Sequence, residues 1–329
     1  MTPTRTKRRI VVPTIVALVC ALPLIATHAA LADLKSTRAA GPSVHRQFLE
    51  PKSAADKPLA IVLGDSLITQ AAAQLAADLS NVKIDQYSYP AQAACHYLGT
   101  VKSYLKSHRP NVAVIEFFGN DNKDTPCINK HRIESPGYYA QYKANVSTMV
   151  RELVQARAHV FLIGVIPDAA QVAAADRHWD ELNVIYSAIA RAYTKRVVTF
   201  VNVQQVIESG GRFTWYLPCL KGERSCDASI SGIDTPPPSG NNIVRSSEGL
   251  HFCPLYPTTP NGLYNFIHCK TYASGTHRYA GFIADAVENY LKRGDAPKFF
   301  GVPLPAPNTA EVGDAGQIDP YTGSVYPQT

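Results

Sequence analysis

The chain has 329 residues, of which 46% are hydrophobic and 18% charged, and its formal net charge at pH 7 is +6. Four basic residues and no acidic ones lie in the first 32 positions, and the remaining chain has 28 basic and 26 acidic residues. This balance excludes the strongly basic surface that nucleic-acid binding requires, so we predict no nucleic-acid partner. The apolar content and length predict one large core and a single main domain.

Residues 1–32 have the pattern of an export segment. Basic residues at positions 5–9 precede a mostly apolar run over 10–26, and Ala30-Leu31-Ala32 fits the small-residue rule for signal peptidase cleavage. The run is long for a signal peptide and slightly short for a membrane span, so a cleaved signal and an N-terminal anchor both stay open. Either one predicts an extracytoplasmic protein that is secreted, periplasmic or held at the cell envelope.

The rest of the chain divides into three segments by composition. Residues 33–57 are polar and irregular and are interpreted as a linker. Residues 58–300 form the predicted domain, and residues 301–329 form a tail rich in proline and glycine that we expect to be extended or disordered.

Apolar strands alternate with helical patterns through most of the domain. The predicted strands are 59–63, 82–87, 112–118, 159–166 and 197–203. The third and fourth are nearly continuous apolar runs, which is typical of parallel strands covered on both faces. Apolar residues at three- and four-residue steps predict helices over 138–156, 175–195 and 276–293, the last ending at Gly294. The alternation predicts an α/β fold, a three-layer α/β/α sandwich around a five-stranded, mainly parallel sheet.

Residues 204–275 interrupt the alternation and are rich in proline, glycine and cysteine, as expected of a long loop region held by disulfides. Beyond Cys20 in the leader, the chain has six cysteines, an even number suited to an oxidising compartment. Six cysteines allow 15 pairings, among which proximity in sequence favours Cys219–Cys226 and Cys253–Cys269 and leaves Cys95 with Cys127. A competing zinc site would use His251, His268 and two cysteines. No metal-ligand spacing supports it, and we predict no metal and no cofactor.

A serine lies on a sharp turn at the carboxyl end of the first strand, within Gly64-Asp65-Ser66. Reactive groups of α/β proteins are placed at such positions. A serine hydroxyl needs a base and a group that orients the base, and His251 with Glu248 three residues before it can supply both. The backbone N–H of Ser66 and the side-chain amide of Asn120 are candidate donors to an oxyanion.

Together, Gly64-Asp65-Ser66, Gly119-Asn120-Asp121 and the carboxylate-x-x-His of 248–251 resemble three sequence blocks of the SGNH (GDSL-type) hydrolases. The resemblance covers roughly residues 59–293. It implies a flavodoxin-like sheet, activity on acyl esters without a metal, Ser66 as nucleophile, His251 as base and Asn120 as an oxyanion donor.

The chain departs from the family pattern at two places. The family usually has aspartate where this chain has Glu248, so Asp234 and, less favoured, Asp227 stay open as the third member of the triad. The family's second block supplies a glycine N–H, whereas this region reads Ala91-Gln92-Ala93-Ala94-Cys95. The backbone N–H of Ala94 is the predicted replacement in the oxyanion hole.

Four further residues near these motifs have open roles. His96 and Asp121 are candidates for substrate contact, and Asp65 is interpreted as a hydrogen-bonding turn residue. Glu116 lies inside an apolar strand, and it is interpreted either as a buried partner of a basic residue or as a group facing the crevice.

The sequence therefore predicts an exported serine esterase that removes or transfers short acyl groups, O-acetyl above all, on a cell-envelope or extracellular glycan. The Ala93-Ala94-Cys95 segment is similar to SGNH domains linked to cell-surface O-acyltransferases, and residues 251–254 are similar to secreted actinobacterial members. Two alternatives stay open: a lipase or thioesterase acting on longer acyl chains, and a catalytically silent module for glycan binding or envelope assembly. The sequence does not indicate an oligomeric state.

Overall fold

A computed structural model describes the domain but not the two ends of the chain. The described residues are 57–120, 126–128, 131–132, 134–174, 177–193, 196–224, 237–254, 269, 272–294 and 298–301. The predicted leader, and nearly all of the predicted linker and tail, lie outside them. Among the described residues, no helix has both the length and the apolar character needed to cross a membrane.

The core of the domain is a parallel sheet with strand order β2-β1-β3-β4-β5-β8. Its strands are β1 (Leu59–Gly64), β2 (Lys83–Ser88), β3 (Val112–Glu116), β4 (His159–Ile163), β5 (Val198–Val201) and β8 (Phe299–Phe300). Apart from Leu59, which is partly buried, the apolar side chains of β1, β3, β4 and β5 are fully buried, as expected for strands covered on both faces. The predicted α/β class and its mainly parallel sheet are confirmed.

The sheet has six strands rather than the five predicted. The sixth, β8, is two residues long and pairs in parallel with β5 through Phe200 and Val201. A two-residue strand is too short to produce a period-two pattern in the sequence, so the periodicity could not predict it.

Helices cover both faces of the sheet. They are α1 (Ser66–Asp78), α2 (Leu98–Tyr104), α3 (Pro136–Gln155), α4 (Ala169–Ala173), α5 (His178–Ala192), α6 (Gln204–Ile207) and α7 (Ser274–Arg293). Helices α1 and α7 pack together, while α3 packs against α2 and α5. These two groups and the sheet between them make the predicted three layers.

Local signals explain where the long helices begin and end. Ser135 caps α3, its hydroxyl accepting from the Tyr138 N–H at 3.2 Å, and Pro136 follows at the first helical position. Helix α7 ends at Gly294, which has the left-handed φ of +66° that glycine adopts at little cost. The predicted end of α7 is therefore confirmed.

The region after β5 holds short elements rather than one loop. Strands β6 (Tyr216–Pro218) and β7 (Asn241–Ile243) form a separate antiparallel pair. Two predicted disulfides are present: the Cα atoms of Cys95 and Cys127 are 5.9 Å apart, and those of Cys253 and Cys269 are 5.0 Å apart. Cys219 is also disulfide-bonded, but its predicted partner Cys226 lies outside the described residues.

A buried ion pair fastens helix α7 to this region. Arg278 donates through Nε to Glu223 Oε1 at 2.8 Å and through Nη2 to Glu223 Oε2 at 2.6 Å, and Nη2 also reaches the Pro218 carbonyl at 2.7 Å. The side chains of Arg278 and Glu223 are only 6% and 5% exposed. Removal of either partner would leave the other charge buried and unpaired.

We expect Glu223→Gln to lower the free energy of unfolding by about 3 kcal/mol at neutral pH. Burial raises the pKa of Glu223, but bonds from Arg278, the Leu220 N–H and Ser274 outweigh it and lower the pKa from 4.5 to about 2. Since this pKa is depressed in the folded protein, the stabilisation is present above pH 4.5 and is lost as the pH falls towards 2. Denaturant titrations across this range would measure the effect.

The exposed pair Lys292–Glu288 on the same helix provides the matched control. Its side chains are 70% and 33% exposed, so Glu288→Gln should change stability by less than about 0.5 kcal/mol. Equal stability of the two variants would contradict the importance of the buried pair.

Candidate active site

Ser66 lies at the carboxyl edge of the sheet, two residues after the end of strand β1. Gly64 is the last residue of β1, where a Cβ would overlap Ile68 and lie 2.5 Å from the Glu116 carbonyl oxygen, so only glycine fits. Asp65 caps α1, its Oδ1 accepting from the Leu67 N–H at 3.2 Å. Ser66 is therefore the first residue of α1. The residue that hydrogen-bonds its side chain lies 185 positions further along the chain.

That partner is His251. Its Nε2 lies 2.8 Å from Ser66 Oγ, and its Nδ1 forms a hydrogen bond with Glu248 Oε1. With Nδ1 donating to the carboxylate, Nε2 is the acceptor for the serine hydroxyl. The three predicted residues are thus brought together in the order nucleophile, base and orienting acid.

Glu248 reaches His251 from the same loop. Its Oε1 also accepts from the backbone N–H of His251 at 3.2 Å, so one carboxylate fixes both the main chain and the ring of the histidine. Burial raises the pKa of Glu248, but the hydrogen bond and charge of His251 outweigh it, and the net pKa is below its ordinary value. The alternatives Asp227 and Asp234 lie outside the described residues.

The loop that carries both residues is held by its own backbone and by α1. The Ser246 N–H donates to the His251 carbonyl at 2.7 Å, and the Phe252 N–H donates to Gln70 Oε1 at 2.9 Å. Gly249 has a φ of +87°, and a Cβ there would overlap Ala169. This position therefore requires glycine twice over, for its backbone angle and for its close approach to α4.

Asn120 lies next to the serine turn. Its Nδ2 donates to Asp65 Oδ2 at 2.6 Å and approaches the Gln92 carbonyl at 3.5 Å. Two residues after Gln92, Ala94 begins a short 3₁₀ helix (Ala94–Tyr97), where the first N–H groups have no partner within the helix. The structure thus brings the three predicted oxyanion donors to one edge of the sheet.

Comparison with known families identifies the chain. A family model described as a protein of unknown function, DUF459, matches residues 60–226, just over half of the chain. The chain belongs to the DUF459 family. DUF459 is an SGNH-like family, so the resemblance to SGNH hydrolases is confirmed at the level of the family. The matched residues include Ser66 and Asn120 and end before Glu248 and His251.

Solved structures similar to this DUF459 chain include esterases and lipases. A lipase/acylhydrolase from Enterococcus faecalis is 13% identical, with a TM-score of 0.44, over 70% of this chain and 96% of that one. A GDSL-like lipase from Bacteroides thetaiotaomicron is 11% identical, with a TM-score of 0.43, over 73% and 92%. The esterase EstA from Pseudoalteromonas is 15% identical, with a TM-score of 0.34, over 46% and 80%. No curated protein matches the chain.

A buried arginine in the DUF459 site was not predicted from the sequence. Arg245 is 1% exposed, and its Nη1 donates to the carbonyl of Leu250, the residue directly before His251, at 3.1 Å. Burial lowers the pKa of Arg245 to about 10, and the charges of Glu208 and Glu248 oppose that shift. An arginine in a loop is ordinarily exposed, so nothing in the local pattern distinguishes it.

Of the two residues predicted to contact substrate, His96 is described by the structure, and its role in substrate contact stays a prediction. His96 is half-buried, and its Nδ1 accepts from the Ala93 N–H at 3.2 Å, so it fixes the start of the 3₁₀ helix. Burial lowers the pKa of His96, which favours the neutral ring. Asp121 lies outside the described residues.

One group of metal-ligand type occurs among the described residues of this DUF459 chain. The ligand atoms of Cys95, His96 and Cys127 lie within 4.8 Å of one another. Because Cys95 and Cys127 are joined in a disulfide, their thiolates are not available as ligands. The zinc alternative based on His251 and His268 stays untested, since His268 lies outside the described residues, although His251 is bonded to Ser66 and Glu248.

The Cys253–Cys269 disulfide holds the chain two residues after His251. We expect mild reduction to lower esterase activity several-fold before the core unfolds, because the imidazole needs accurate placement. Activity and circular dichroism followed together during a reductant titration would measure this. A Cys253→Ala, Cys269→Ala double variant should show the same loss without reductant. Unchanged activity, with free thiols confirmed by mass spectrometry, would remove this role from the disulfide.

Proposed function

We propose that this chain is an exported serine hydrolase of acyl esters, acting on short acyl groups, chiefly O-acetyl, of a cell-envelope or extracellular glycan. The observation that carries the hydrolase proposal is the chain of hydrogen bonds from Ser66 Oγ to His251 Nε2, at 2.8 Å, and from His251 Nδ1 to Glu248. This arrangement activates a hydroxyl that is otherwise a poor nucleophile.

The first half of the reaction forms an acyl-enzyme. Ser66 Oγ attacks the ester carbonyl carbon while its proton passes to His251 Nε2, and Glu248 stabilises the resulting imidazolium. The carbonyl oxygen becomes an oxyanion that accepts from the N–H groups of Ser66 and Ala94 and from the amide of Asn120. The C–O bond to the alcohol then breaks, and His251 returns the proton to the leaving alkoxide.

The second half releases the acyl group. Water gives a proton to His251 Nε2 and attacks the acyl carbon, and collapse of the second tetrahedral intermediate breaks the bond to Ser66 Oγ, which recovers its proton. A sugar hydroxyl in place of water would transfer the acyl group instead. The residues that perform the two reactions are the same.

Separate observations support export and the glycan substrate. The predicted leader and the Cys95–Cys127 and Cys253–Cys269 disulfides fit an oxidising compartment outside the cytoplasm. The glycan is supported by export together with the sequence likeness to domains linked to glycan O-acyltransferases. An acylated glycan is therefore the proposed substrate.

Labelling with a fluorophosphonate probe followed by peptide mapping tests the hydrolase proposal and its nucleophile together. We expect one modified serine, at position 66, in the folded protein. Absence of labelling in fresh, folded protein would favour the silent binding module, and labelling of a different serine would overturn the assignment of Ser66.

A chain-length series of p-nitrophenyl esters tests the substrate class. The proposal expects the largest kcat/KM at acetyl or another short chain. A maximum at long acyl chains would favour the lipase or thioesterase alternative and leave the nucleophile unchanged.

A further inference from the structure

Two carboxyl groups lie buried side by side directly beneath the nucleophile turn. Asp65 follows β1 and is 0% exposed, and Glu116 ends the neighbouring strand β3 and is 1% exposed. Strand register places Glu116 opposite Gly64. Burial of two ionised carboxylates in contact is costly, because both lose hydration and they repel each other.

The hydrogen-bond donors around the pair are distributed unequally. Asp65 accepts from the Leu67 N–H at 3.2 Å, from the Phe118 N–H at 2.7 Å and from Asn120 Nδ2 at 2.6 Å. Glu116 accepts through Oε2 from the Ile68 N–H at 3.3 Å, and its Oε1 has no partner among the described residues. Three donors stabilise a negative charge on Asp65, whereas Glu116 has the backbone N–H groups of Ile68 and Asp65 among the described residues.

The two carboxyl groups also lie close enough to interact with each other. Two ionised carboxylates in contact repel each other, so a proton on one of them is favoured, and that proton can form a hydrogen bond to the other. Because Asp65 already has three donors, the proton belongs on Glu116.

We propose that Glu116 holds a proton at neutral pH and donates a hydrogen bond to ionised Asp65, and that this pair positions the Asn120 amide for the oxyanion. Glu116 is thus a positioning residue that acts through Asp65 and Asn120. The inference deepens the proposed function and rests on it, since Asn120 needs positioning only if an oxyanion forms.

The geometry explains how the pair acts on Asn120. Its Nδ2 carries two hydrogens, and the 2.6 Å bond to Asp65 uses one and sets the plane of the amide. The second hydrogen faces the Gln92 carbonyl at 3.5 Å, the outer limit of a hydrogen bond, so a developing oxyanion can compete for it. A donor fixed before the reaction costs no reorganisation when charge develops.

The ionisation state of Glu116 also affects how well the oxyanion is stabilised. Burial raises the pKa of Glu116 well above its ordinary value, and the charge of Asp65 raises it further. The other ionisable groups that interact with the pair are His251, Tyr97, Tyr186 and Tyr279. Among the described residues, no lysine or arginine forms an ion pair with Glu116. Loss of the proton would therefore add a second buried negative charge behind the developing oxyanion.

The experiment compares the pH dependence of kcat for wild-type protein and Glu116→Gln. Glutamine has the shape of the protonated acid and keeps both an acceptor for Ile68 and a donor for Asp65. We expect kcat near that of the wild type at neutral pH. At alkaline pH, the wild-type kcat should fall by about tenfold per pH unit once Glu116 ionises, and the variant should lose this fall.

Two further variants isolate the role of the pair. Asp65→Asn places an amide opposite the Asn120 and Phe118 donors and should lower kcat by about 100-fold, the loss typical of one oxyanion donor. Asp85→Asn removes a buried carboxyl on β2, which accepts from the Tyr104 hydroxyl at 2.9 Å, and should keep the wild-type alkaline fall. An alkaline fall that persists in Glu116→Gln would overturn the proposal.

Infrared spectroscopy separates this proposal from the hydrolase proposal. A protonated carboxyl has a C=O stretching band distinct from that of carboxylates, and we expect it in the wild type at neutral pH and not in Glu116→Gln. A band with these properties in a protein without esterase activity would overturn the proposed function and leave the shared proton intact. Absence of the band from the wild type would overturn the shared proton, even if Glu116→Gln did not fold.

Discussion

Replacing Ser66 with alanine is expected to lower kcat for p-nitrophenyl acetate by at least about 10⁴-fold, leaving only the residual catalysis of the oxyanion hole and substrate binding. The reason is that Ser66 Oγ is the only atom of the proposed site that forms a bond to the acyl carbon. The side chain is small and makes one described hydrogen bond, to His251 at 2.8 Å, so the fold should persist. Initial rates and thermal melting of the purified variant measure both effects.

Ser187→Ala provides a matched control. Ser187 is also a buried serine, 3% exposed, on helix α5, and its hydroxyl accepts from Arg191 Nη1 at 2.6 Å. Its loss should leave kcat unchanged. Full turnover of p-nitrophenyl acetate by the Ser66→Ala protein would contradict the catalytic assignment.

Replacing Glu248 with glutamine is expected to lower kcat by about 10³- to 10⁴-fold. The amide is neutral, so it does not stabilise the imidazolium, and its NH₂ group can turn His251 to the tautomer that does not accept from serine. Initial rates at saturating p-nitrophenyl acetate measure the loss of kcat, and fluorophosphonate labelling should be slow but still directed to Ser66.

Glu248→Asp tests the departure from the usual family residue. Aspartate keeps the charge and shortens the side chain by one methylene, so an intermediate activity is expected if reach to His251 Nδ1 matters. The partly exposed acid Glu288 on α7 is the control, since Glu288→Gln changes a charge remote in sequence from the loop. Unchanged kcat in Glu248→Gln would shift the role of the third member to another acid, such as Asp234.

The predictions of the buried strands and of the end of α7 were confirmed because they depend on local sequence patterns. The buried strands 59–63 and 112–118 were predicted within two residues at each end, since fully covered parallel strands are continuous apolar runs. The end of α7 was predicted because few residues other than glycine adopt the left-handed conformation that caps a helix, as Gly294 does. The two-residue strand Phe299–Phe300 was missed because its pairing with β5 is a tertiary contact.

The site was predicted in part for a similar reason. Carboxyl ends of parallel strands meet at one edge of the sheet, so Ser66 and Asn120 could be placed together before the structure was known. The link from Asn120 to Asp65 was missed, because a turn aspartate ordinarily bonds its own backbone. The sequence interpretation of Glu116 as a partner of a basic residue was wrong for the described residues, since its neighbour is another acid.

The sequence by itself determined which residues have the chemistry: a serine on a strand-to-helix turn, a histidine with an acid three residues before it, and an amide after the third strand. These assignments follow from residue type, order and spacing. Only the tertiary structure decided that Glu248 bonds the ring that faces Ser66, and that Asp65 and Glu116 meet behind Asn120. The Ser66–His251 contact and the backbone donors to Asp65 and Glu116 join residues 48 to 185 positions apart at distances near 3 Å, and no local pattern specifies a distance of that kind.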